Sequence, residues 1–216
     1  MRFDPAFIWL HADVLLFGLL VTLSILAVGG VIAVVGGAFV LAARIGMGAL
    51  MRRLSIGYIV FFRTTPEVVL IFWAYYCIPF VFDQRLTGFW AGSITLGLIG
   101  AAYLAEILRG GIDAVPKGQR EAAISLGLPA YATWRCIILP QALRLSVPPF
   151  VNYFTEFLKN TTLLAAIGVA DLALAAFTLG GQTYRHFEFL TAIAILYFLM
   201  ILPVSLYART LEKRQP

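Results

Sequence analysis

The sequence predicts an all-α membrane protein with about five transmembrane helices, and three observations support this fold class. Of the 216 residues, 61% are hydrophobic and only 12% are charged, whereas about 25% of the residues are charged in soluble domains. Several uncharged runs reach the roughly 20 residues that a helix needs to cross the hydrocarbon layer. Basic residues gather at the ends of those runs, which is typical of membrane topology and not of a nucleic-acid-binding face.

Five segments are expected to cross the membrane. The first has 30 uncharged positions between Asp13 and Arg44, and the third and fifth each offer 20 uncharged residues. The second and fourth are each interrupted by two charged residues. The predicted spans are 14–43, 56–80, 86–108, 146–169 and 187–208, within a transmembrane domain that covers 14–211. Small residues four positions apart predict close helix packing, at the pairs Ala33/Gly37, Ala38/Ala42 and Gly97/Ala101.

The distribution of basic residues predicts an N-terminus outside and a C-terminus inside. With this orientation, twelve Lys and Arg residues lie in inner segments and three in outer ones, as the positive-inside rule requires. Residues 1–13 then form an outer segment without signal-peptide features, and residues 212–216 form an inner, cytoplasmic tail. The inner residues are Arg44, Arg52, Arg53, Arg63, Arg109, Lys117, Arg120, Arg135, Arg144, Arg209, Lys213 and Arg214, and the outer ones are Arg2, Arg85 and Arg185.

Residues 109–144 form an inner segment that is long for a simple connection and contains five basic and two acidic residues. Pro116 and Gly127 are typical of a helix start and stop, and they predict a short helix near 117–126. A second short helix is expected at 131–138, ended by Pro140. Two alanines, Ala122 and Ala123, would leave a flat face for docking another protein. The alternative is a solvated connector.

Charges inside the predicted spans are costly and usually face a bundle interior or an aqueous cavity. Glu156 and Lys159 share a helix face and are able to pair. They either form an internal ion pair that offsets its own burial or, with their polar neighbours, line a translocation path, and both alternatives stay open. Arg63, Glu67 and Glu106 lie near the inner ends of their spans, where we expect their side chains to snorkel to the membrane interface. The candidate path residues are Glu156, Lys159, Asn160, Thr161, Thr162, Thr65 and Glu67.

The residues that usually carry catalysis or bind metals are sparse. Cys77 and Cys136 are far apart, and only His11 and His186 supply imidazoles, so no metal site is expected. The three lysines do not fit GxxxxGK, which excludes a P-loop ATPase in this chain. We find no nucleophile–base pair for a membrane-bound enzyme.

The inner segment contains EAAISLGLPAYATWRCIILP, which resembles the EAA loop of ABC importer permeases. That pattern is EAA, three residues, Gly, nine residues, Ile, one residue and Leu-Pro. All of its specified positions are matched, by Glu121, Ala122, Ala123, Gly127, Ile137, Leu139 and Pro140.

Further segments are similar to the polar amino-acid uptake subfamily, from about Leu15 to Leu211. They are LLFGLLVTLSI, FRTTPEVVLIFWAYYCIP, AAYLAEILRGGIDAVPKGQREAA and LKNTTLLAAIGVADL. Two departures from the subfamily pattern leave the substrate open: Thr64-Thr65-Pro66 replaces Gly-Thr-Pro, and Glu67 replaces an apolar residue.

The resemblance implies a multi-pass permease of the bacterial inner membrane that imports a polar amino acid or a relative such as an opine or ectoine. Its EAA loop, with Gly118 and Gln119, would form a coupling helix in a groove of a separate ATPase dimer, which binds ATP and Mg²⁺. No cofactor is expected in this chain. The implied partners are a second permease subunit, identical or related, and a periplasmic or lipid-anchored solute-binding protein.

Lys159 would face the carboxylate of a zwitterionic substrate, and Glu156 would face its amine. An ion-coupled secondary transporter and a non-transporting assembly subunit remain as alternatives.

Overall fold

The computed structural model describes residues 4–83 and 86–212, and every regular element in these two ranges is helical. Two π-helical turns, Trp73–Cys77 and Thr133–Ile138, and one 3-10 helix, Thr161–Ile167, interrupt or extend the α-helices. The α-helices are α1 (Ala6–Leu10), α2 (Ala12–Gly46), α3 (Gly48–Thr64), α4 (Glu67–Phe72), α5 (Ile78–Phe82), α6 (Gly88–Asp113), α7 (Lys117–Ser125), α8 (Ala130–Ala132), α9 (Leu139–Asn160), α10 (Leu172–Thr183) and α11 (His186–Glu212).

Three of the described helices are long and apolar enough to cross a membrane alone, namely α2, α6 and α11. Two further spans arise only if bent helix pairs are each counted as one. The first pair is α3 with Glu67–Val81, bent by 104°, and the second is Ala130–Ile167 with Leu172–Thr183, bent by 49°. The described chain therefore has three to five candidate spans, and the predicted number is the upper end of that range.

The second span is not the single helix predicted for 56–80. It breaks at Thr65 and Pro66, whose backbones are extended, with ψ of 133° and 130°. The ring of a proline disfavours helical backbone at the preceding residue, and proline has no N–H to donate. The break turns the chain so that Glu67 begins a new helix.

The prediction that Pro140 ends a short helix is also wrong. Helical structure runs from Ala130 through the π-helical turn into α9, and Pro140 lies in the first turn of α9, where the missing N–H is least costly. Because α6 extends to Asp113, the connection between α6 and α8 is shorter than the predicted 109–144 and covers only 114–129, α7 included.

Helices α2 and α6 run parallel and approach closely through small residues. A Cβ built on Gly37 would lie 2.8 Å from the Leu104 Cβ, and one on Gly97 would lie 2.7 Å from the Ile32 Cβ. Because lipid supplies no hydrophobic force between helices, this close backbone approach carries their association. The predicted small pairs Ala33/Gly37 and Gly97/Ala101 are buried, whereas Ala38 and Ala42 are exposed.

The hydrophobic core joins the two bent helix pairs to the long helices α2 and α6. Its main cluster contains Ile25 of α2, Ile71 of α4, Leu96 of α6, Phe157 of α9 and Leu164 of the 3-10 helix. Outside this core, large apolar side chains remain exposed over much of the surface. An apolar outer surface on this scale fits a lipid environment.

The two ends of the bundle differ in charge. Arg44 at the end of α2 and Arg109 near the end of α6 both pair with Glu106, so these basic residues share one end with α7. At the other end, Arg185 pairs with the buried Glu188 at 2.8 Å and lies 3.9 Å from the centre of the Phe7 ring. Four basic residues of the orientation prediction, Arg2, Arg85, Lys213 and Arg214, lie outside the described residues.

Candidate functional site

Helix α7 projects from the charged end of the bundle and exposes most of its side chains. The preceding residue, Pro116, has ψ of 133° and breaks the chain away from α6, so that Lys117 begins a separate helix. Every residue from Lys117 to Ala130 is exposed except Ala123, which is 1% exposed. A short helix with so little burial cannot be stabilised by its own core. Its placement therefore depends on the contacts at its base.

Three contacts fix α7 to the helix that follows it. Ala123 is buried against the bundle, and the Arg120 guanidinium lies 5.6 Å from the centre of the Trp134 ring, within cation–π range. The side-chain amide of Gln141 donates to the Gln119 Oε1 at 3.5 Å. Below them, Val115 packs against Ile138 and Ala142, so α7 is tied to the start of α9.

The C-terminus of α7 explains the glycine of the motif. Gly127 has φ of +67°, a left-handed backbone that glycine adopts without steric cost. Its N–H donates to the Ile124 carbonyl at 2.9 Å, and the Leu128 N–H donates to the Ala123 carbonyl at 3.0 Å. These two bonds form a Schellman motif, so Gly127 sets the direction in which the chain leaves α7.

The motif residues do not all lie on one surface. Gly118, Gln119, Glu121 and Ala122 are exposed on α7, and Leu139 and Pro140 are exposed at the start of α9. In contrast, Ala123 is buried within the chain, so the flat docking face predicted for both alanines contains only Ala122. Ile137 is half-buried and packs against the cluster beneath α7.

A second polar group lies where the broken second span meets α9. The Glu67 carboxylate, in the first turn of α4, is within electrostatic range of the Glu156 carboxylate and interacts with the side-chain amide of Asn160. The positive end of the α4 dipole favours a carboxylate at that position. Among the described residues, neither carboxylate has a cationic partner within 4 Å. The break at Pro66 thus places Glu67 within electrostatic range of an acidic residue that is 89 positions further along the sequence.

Of the two alternatives for Glu156 and Lys159, the internal ion pair is not found among the described residues. Both side chains are exposed, and the Glu156 carboxylate interacts with Glu67. Sharing a helix face permitted the pair but did not require it.

Aromatic side chains extend this polar group toward α6. Tyr153 is within electrostatic range of both carboxylates, and its ring stacks on the Tyr103 ring with 4.7 Å between centroids. The Arg63 guanidinium, in turn, lies 5.1 Å from the centre of the Tyr103 ring. Sequence reasoning missed both tyrosines, because aromatic residues are common throughout the spans and carry no motif.

The three threonines proposed for the path mainly bond to their own helices. Thr65 donates to the Phe61 carbonyl and Thr162 to the Lys159 carbonyl, at 2.8 and 2.7 Å. Thr161 donates to the Leu158 carbonyl at 2.8 Å and is fully buried in the core. The placement of Thr161 in a path is therefore corrected: it is a core residue in this conformation, and Thr65, Thr162 and Asn160 are half-buried.

An ion-pair network joins α2 to the segment that leads into α7. Glu106 accepts from Arg44 of α2 and, at 2.8 Å, from Arg109 of its own helix. Arg109 also pairs with Asp113, the last residue of α6. The sequence favours snorkelling of Glu106 to the interface, but in the structure two guanidiniums hold its carboxylate within the protein.

Asp171 is a buried acidic residue that sequence reasoning also missed. It caps α10 by accepting from the Leu174 N–H at 2.8 Å, while its other carboxylate oxygen has no hydrogen-bond partner. Beside it, the Leu172 N–H donates to the Thr22 hydroxyl at 3.1 Å and ties α10 to α2. An Asp just before an apolar run is an N-cap signal, so its position was recognisable from the sequence.

The sequence of the chain is similar to a known protein family and to known permeases. Residues 34–215 match the family described as "Binding-protein-dependent transport system inner membrane component". The chain is 35% identical to the glutamine transport system permease protein GlnP of Escherichia coli (strain K12), over 99% of this chain and 98% of that one. It is 30% identical to the arginine transport system permease protein ArtQ of Bacillus subtilis (strain 168), over 93% and 91%.

Solved structures share the fold. A chain from the crystal structure of an amino acid ABC transporter with histidines superposes with a TM-score of 0.91 at 32% identity, covering 100% of both chains. A chain from an inward-facing MetNI methionine ABC transporter gives a TM-score of 0.70 at 20% identity, covering 93% of this chain and 97% of that one. The second likeness concerns the fold alone.

Proposed function

The chain belongs to the family of inner membrane components of binding-protein-dependent transport systems, and from that premise we propose that it imports a polar amino acid or a similar solute as the permease subunit of an ABC importer. One observation carries the proposal: essentially the whole chain is similar to a glutamine permease, with 35% sequence identity. The geometry of α7 and of the acidic pair supports the two parts of that activity.

We assign energy coupling to α7. It is polar and exposed, and its Arg120 and Gln119 side chains attach it to Trp134 of the π-helical turn and to Gln141 of α9, while Ala123 is buried. A short helix held in this way moves as one body with the bundle when a partner pushes on it, and rigid-body switching needs such a lever. The partner is an ATPase dimer that binds ATP and Mg²⁺, since this chain has no P-loop sequence.

We assign substrate contact in the membrane to Glu67 and Glu156. Two neighbouring carboxylates without a described cationic partner favour a positively charged group between them, and every amino acid carries an α-ammonium. The Asn160 amide, which already interacts with Glu67, supplies a hydrogen-bond donor at the same place. Lys159 is the candidate for the substrate carboxylate. This pairing applies equally to a neutral amino acid such as glutamine and to a cationic one such as arginine.

We place the N-terminus on the periplasmic side of a bacterial inner membrane and α7 on the cytoplasmic side. The basic residues Arg44, Arg109 and Lys117 share one end of the bundle with α7, which is the cytoplasmic end by the positive-inside rule. A second permease subunit, identical or related, completes the pore, and a periplasmic or lipid-anchored binding protein delivers the solute.

Reconstitution in proteoliposomes with the cognate ATPase subunit and binding protein tests the proposal. Uptake of radiolabelled amino acid that requires ATP inside the vesicles, and that stops with a non-hydrolysable ATP analogue, is the expected result. Uptake that persists without ATP and follows an ion gradient would instead favour a secondary transporter. Absence of both uptake and substrate-stimulated ATP hydrolysis would favour an assembly subunit.

Site-directed cross-linking tests the assigned role of α7 separately. With Cys77 and Cys136 replaced by Ser, an Ala122→Cys variant is expected to cross-link to the ATPase subunit. A Tyr184→Cys variant is the matched control, because Tyr184 is also exposed but follows α10. Equal cross-linking from both positions would overturn the assignment of α7.

A further inference from the structure

The connection between α2 and α3 forms a basic cleft that plays no part in the function described above. The cleft has a volume of about 490 Å³. Three arginines line it, Arg44 from the end of α2 and Arg52 and Arg53 from the first turns of α3, and no acidic residue is among its lining. The tight turn that opens it depends on Gly48, whose φ of +87° favours glycine.

Positive charge in this cleft is incompletely neutralised. Arg44 pairs with Glu106, but Arg52 and Arg53 have no ion-pair partner among the described residues. Helix α3 begins at Gly48 without a side-chain cap and has no acidic residue in its first turn. The positive end of the α3 dipole and the negative end of the α2 dipole meet at this cleft and offset each other, so its excess positive charge comes from the Arg52 and Arg53 side chains. Together these charges specify an anionic ligand.

The surroundings of the cleft distinguish a lipid from a soluble anion. Large apolar side chains flank the arginines and remain exposed, with Ile45, Leu50 and Leu54 each 56–66% exposed. Three of the seven lining residues, Ile45, Ala49 and Ile56, are themselves apolar. A basic pocket at the end of membrane-spanning helices, bordered by apolar surface, suits a phosphate that carries acyl chains.

We propose that this cleft binds the headgroup phosphate of an anionic phospholipid. Arg52 and Arg53 hold the phosphate oxygens, because guanidinium groups match phosphate in bidentate geometry. The acyl chains lie along the exposed apolar side chains of α2 and α3.

The ligand would act on the rest of the molecule through Arg44. This residue lines the cleft and also pairs with Glu106, which holds Arg109 and, through it, Asp113 at the end of α6. Helix α7 begins four residues after Asp113. Occupancy by a phosphate fixes the Arg44 guanidinium between two anions and so stabilises the attachment of α6 and α2 beneath α7.

Native mass spectrometry of the purified permease complex, titrated with phosphatidylglycerol, measures the binding directly. Each basic residue near a membrane surface is worth about a fivefold change in binding. The double variant Arg52→Gln/Arg53→Gln is therefore expected to bind phosphatidylglycerol roughly 25-fold more weakly. Phosphatidylcholine, which has no net charge, is expected to show no difference between the variant and the unmodified protein.

Two controls make the result decisive. Arg52→Lys/Arg53→Lys keeps the charge but loses the bidentate geometry, so it is expected to bind more weakly than the unmodified protein and more tightly than the double Gln variant. Arg135→Gln removes an exposed charge outside the cleft and is expected to leave binding unchanged. Inorganic phosphate at the same concentration is expected not to displace the lipid. The proposal is overturned if the double Gln variant binds phosphatidylglycerol as tightly as the unmodified protein, or if Arg135→Gln weakens binding equally. Because the readout is lipid binding, its failure is distinguishable from a failure of the transport assignment.

Discussion

Arg44, in the last turn of α2, pairs with Glu106, which lies 62 residues further along the chain near the end of α6. The carboxylate is only 17% exposed and also accepts from Arg109. One acidic residue thus joins the two closely packed helices to the segment from which α7 departs. The pair stands at the junction between the part of the chain that crosses the membrane and the part that we assign to energy coupling.

Replacing Glu106 by Gln is expected to destabilise this junction. Hydrogen bonds to charged groups contribute about 2 kcal/mol each. The variant leaves Arg44 without a counter-charge and leaves Arg109 with only the exposed Asp113. The melting temperature of the detergent-solubilised protein should fall, and ATP hydrolysis should become less dependent on substrate. Asp113→Asn is the matched control, because the Asp113 side chain is 61% exposed and exposed pairs contribute little. Equal loss in both variants would contradict the role of Glu106.

Much of this architecture follows from the sequence, since hydrophobic length alone predicts α2, α6 and α11. The two broken spans were harder to predict, because an apolar run of sufficient length looks continuous. Pro66 was the available signal for the first break. In contrast, Pro140, Pro148 and Pro149 all lie within helical structure, so proline alone does not distinguish a break from a tolerated position. Tertiary packing decides between them.

The candidate site was only partly predictable for a similar reason. A sequence motif identifies α7 and its terminal Gly127 because those residues are close together in the chain. The approach of Glu67 to Glu156, and of Arg44 to Glu106, depends on how distant helices pack. Helical spacing allowed Glu156 to pair with Lys159, but the bend at Pro66 supplied a different neighbour.

Gly127→Ala is expected to uncouple ATP hydrolysis from transport without preventing membrane insertion. A non-glycine residue at φ of +67° costs about 1–2 kcal/mol, enough to shift the end of the exposed helix α7. Uptake per ATP hydrolysed, measured in proteoliposomes, should fall. Asn tolerates this backbone better than Ala, so Gly127→Asn should restore much of the coupling. Full coupling in Gly127→Ala would show that the direction of the chain after α7 is unimportant.

Glu67→Gln and Glu156→Gln are expected to weaken substrate use and leave basal ATP hydrolysis unchanged. Loss of a hydrogen bond between charged groups is worth about 1.5–3 kcal/mol, so KM for uptake should rise by roughly 10- to 100-fold. The effect should be similar for neutral and cationic amino acids, because both carry the α-ammonium that the pair is proposed to contact. If uptake kinetics are unaltered in both variants, the acidic pair does not contact substrate.

Comparing Asp171→Asn with Asp171→Ala is expected to separate two contributions of Asp171 to protein stability, its capping of α10 and its negative charge. Asn caps a helix about as well as Asp, and it removes a carboxylate whose second oxygen is buried without a partner. The Asn variant should therefore be at least as stable as the unmodified protein in thermal unfolding. The Ala variant loses the bond to the Leu174 N–H and should be less stable by about 1 kcal/mol. A strongly destabilised Asn variant would mean that the negative charge itself is required.

Gly37→Ala is expected to destabilise the packing of α2 on α6, although alanine is the better helix former. The added Cβ would lie 2.8 Å from the Leu104 Cβ and 3.1 Å from the Ala101 carbonyl oxygen. Overpacking of this kind costs about 1–3 kcal/mol, more than the roughly 1 kcal/mol that alanine gains over glycine in a helix. Gly57→Ala is the matched control within α3, where an added Cβ meets nothing within 4 Å. In detergent, the melting temperature should fall for Gly37→Ala and stay equal or rise for Gly57→Ala. If the melting temperature instead fell for Gly57→Ala and not for Gly37→Ala, the two helices would have room to separate. Close backbone approach would then not explain the association of α2 with α6.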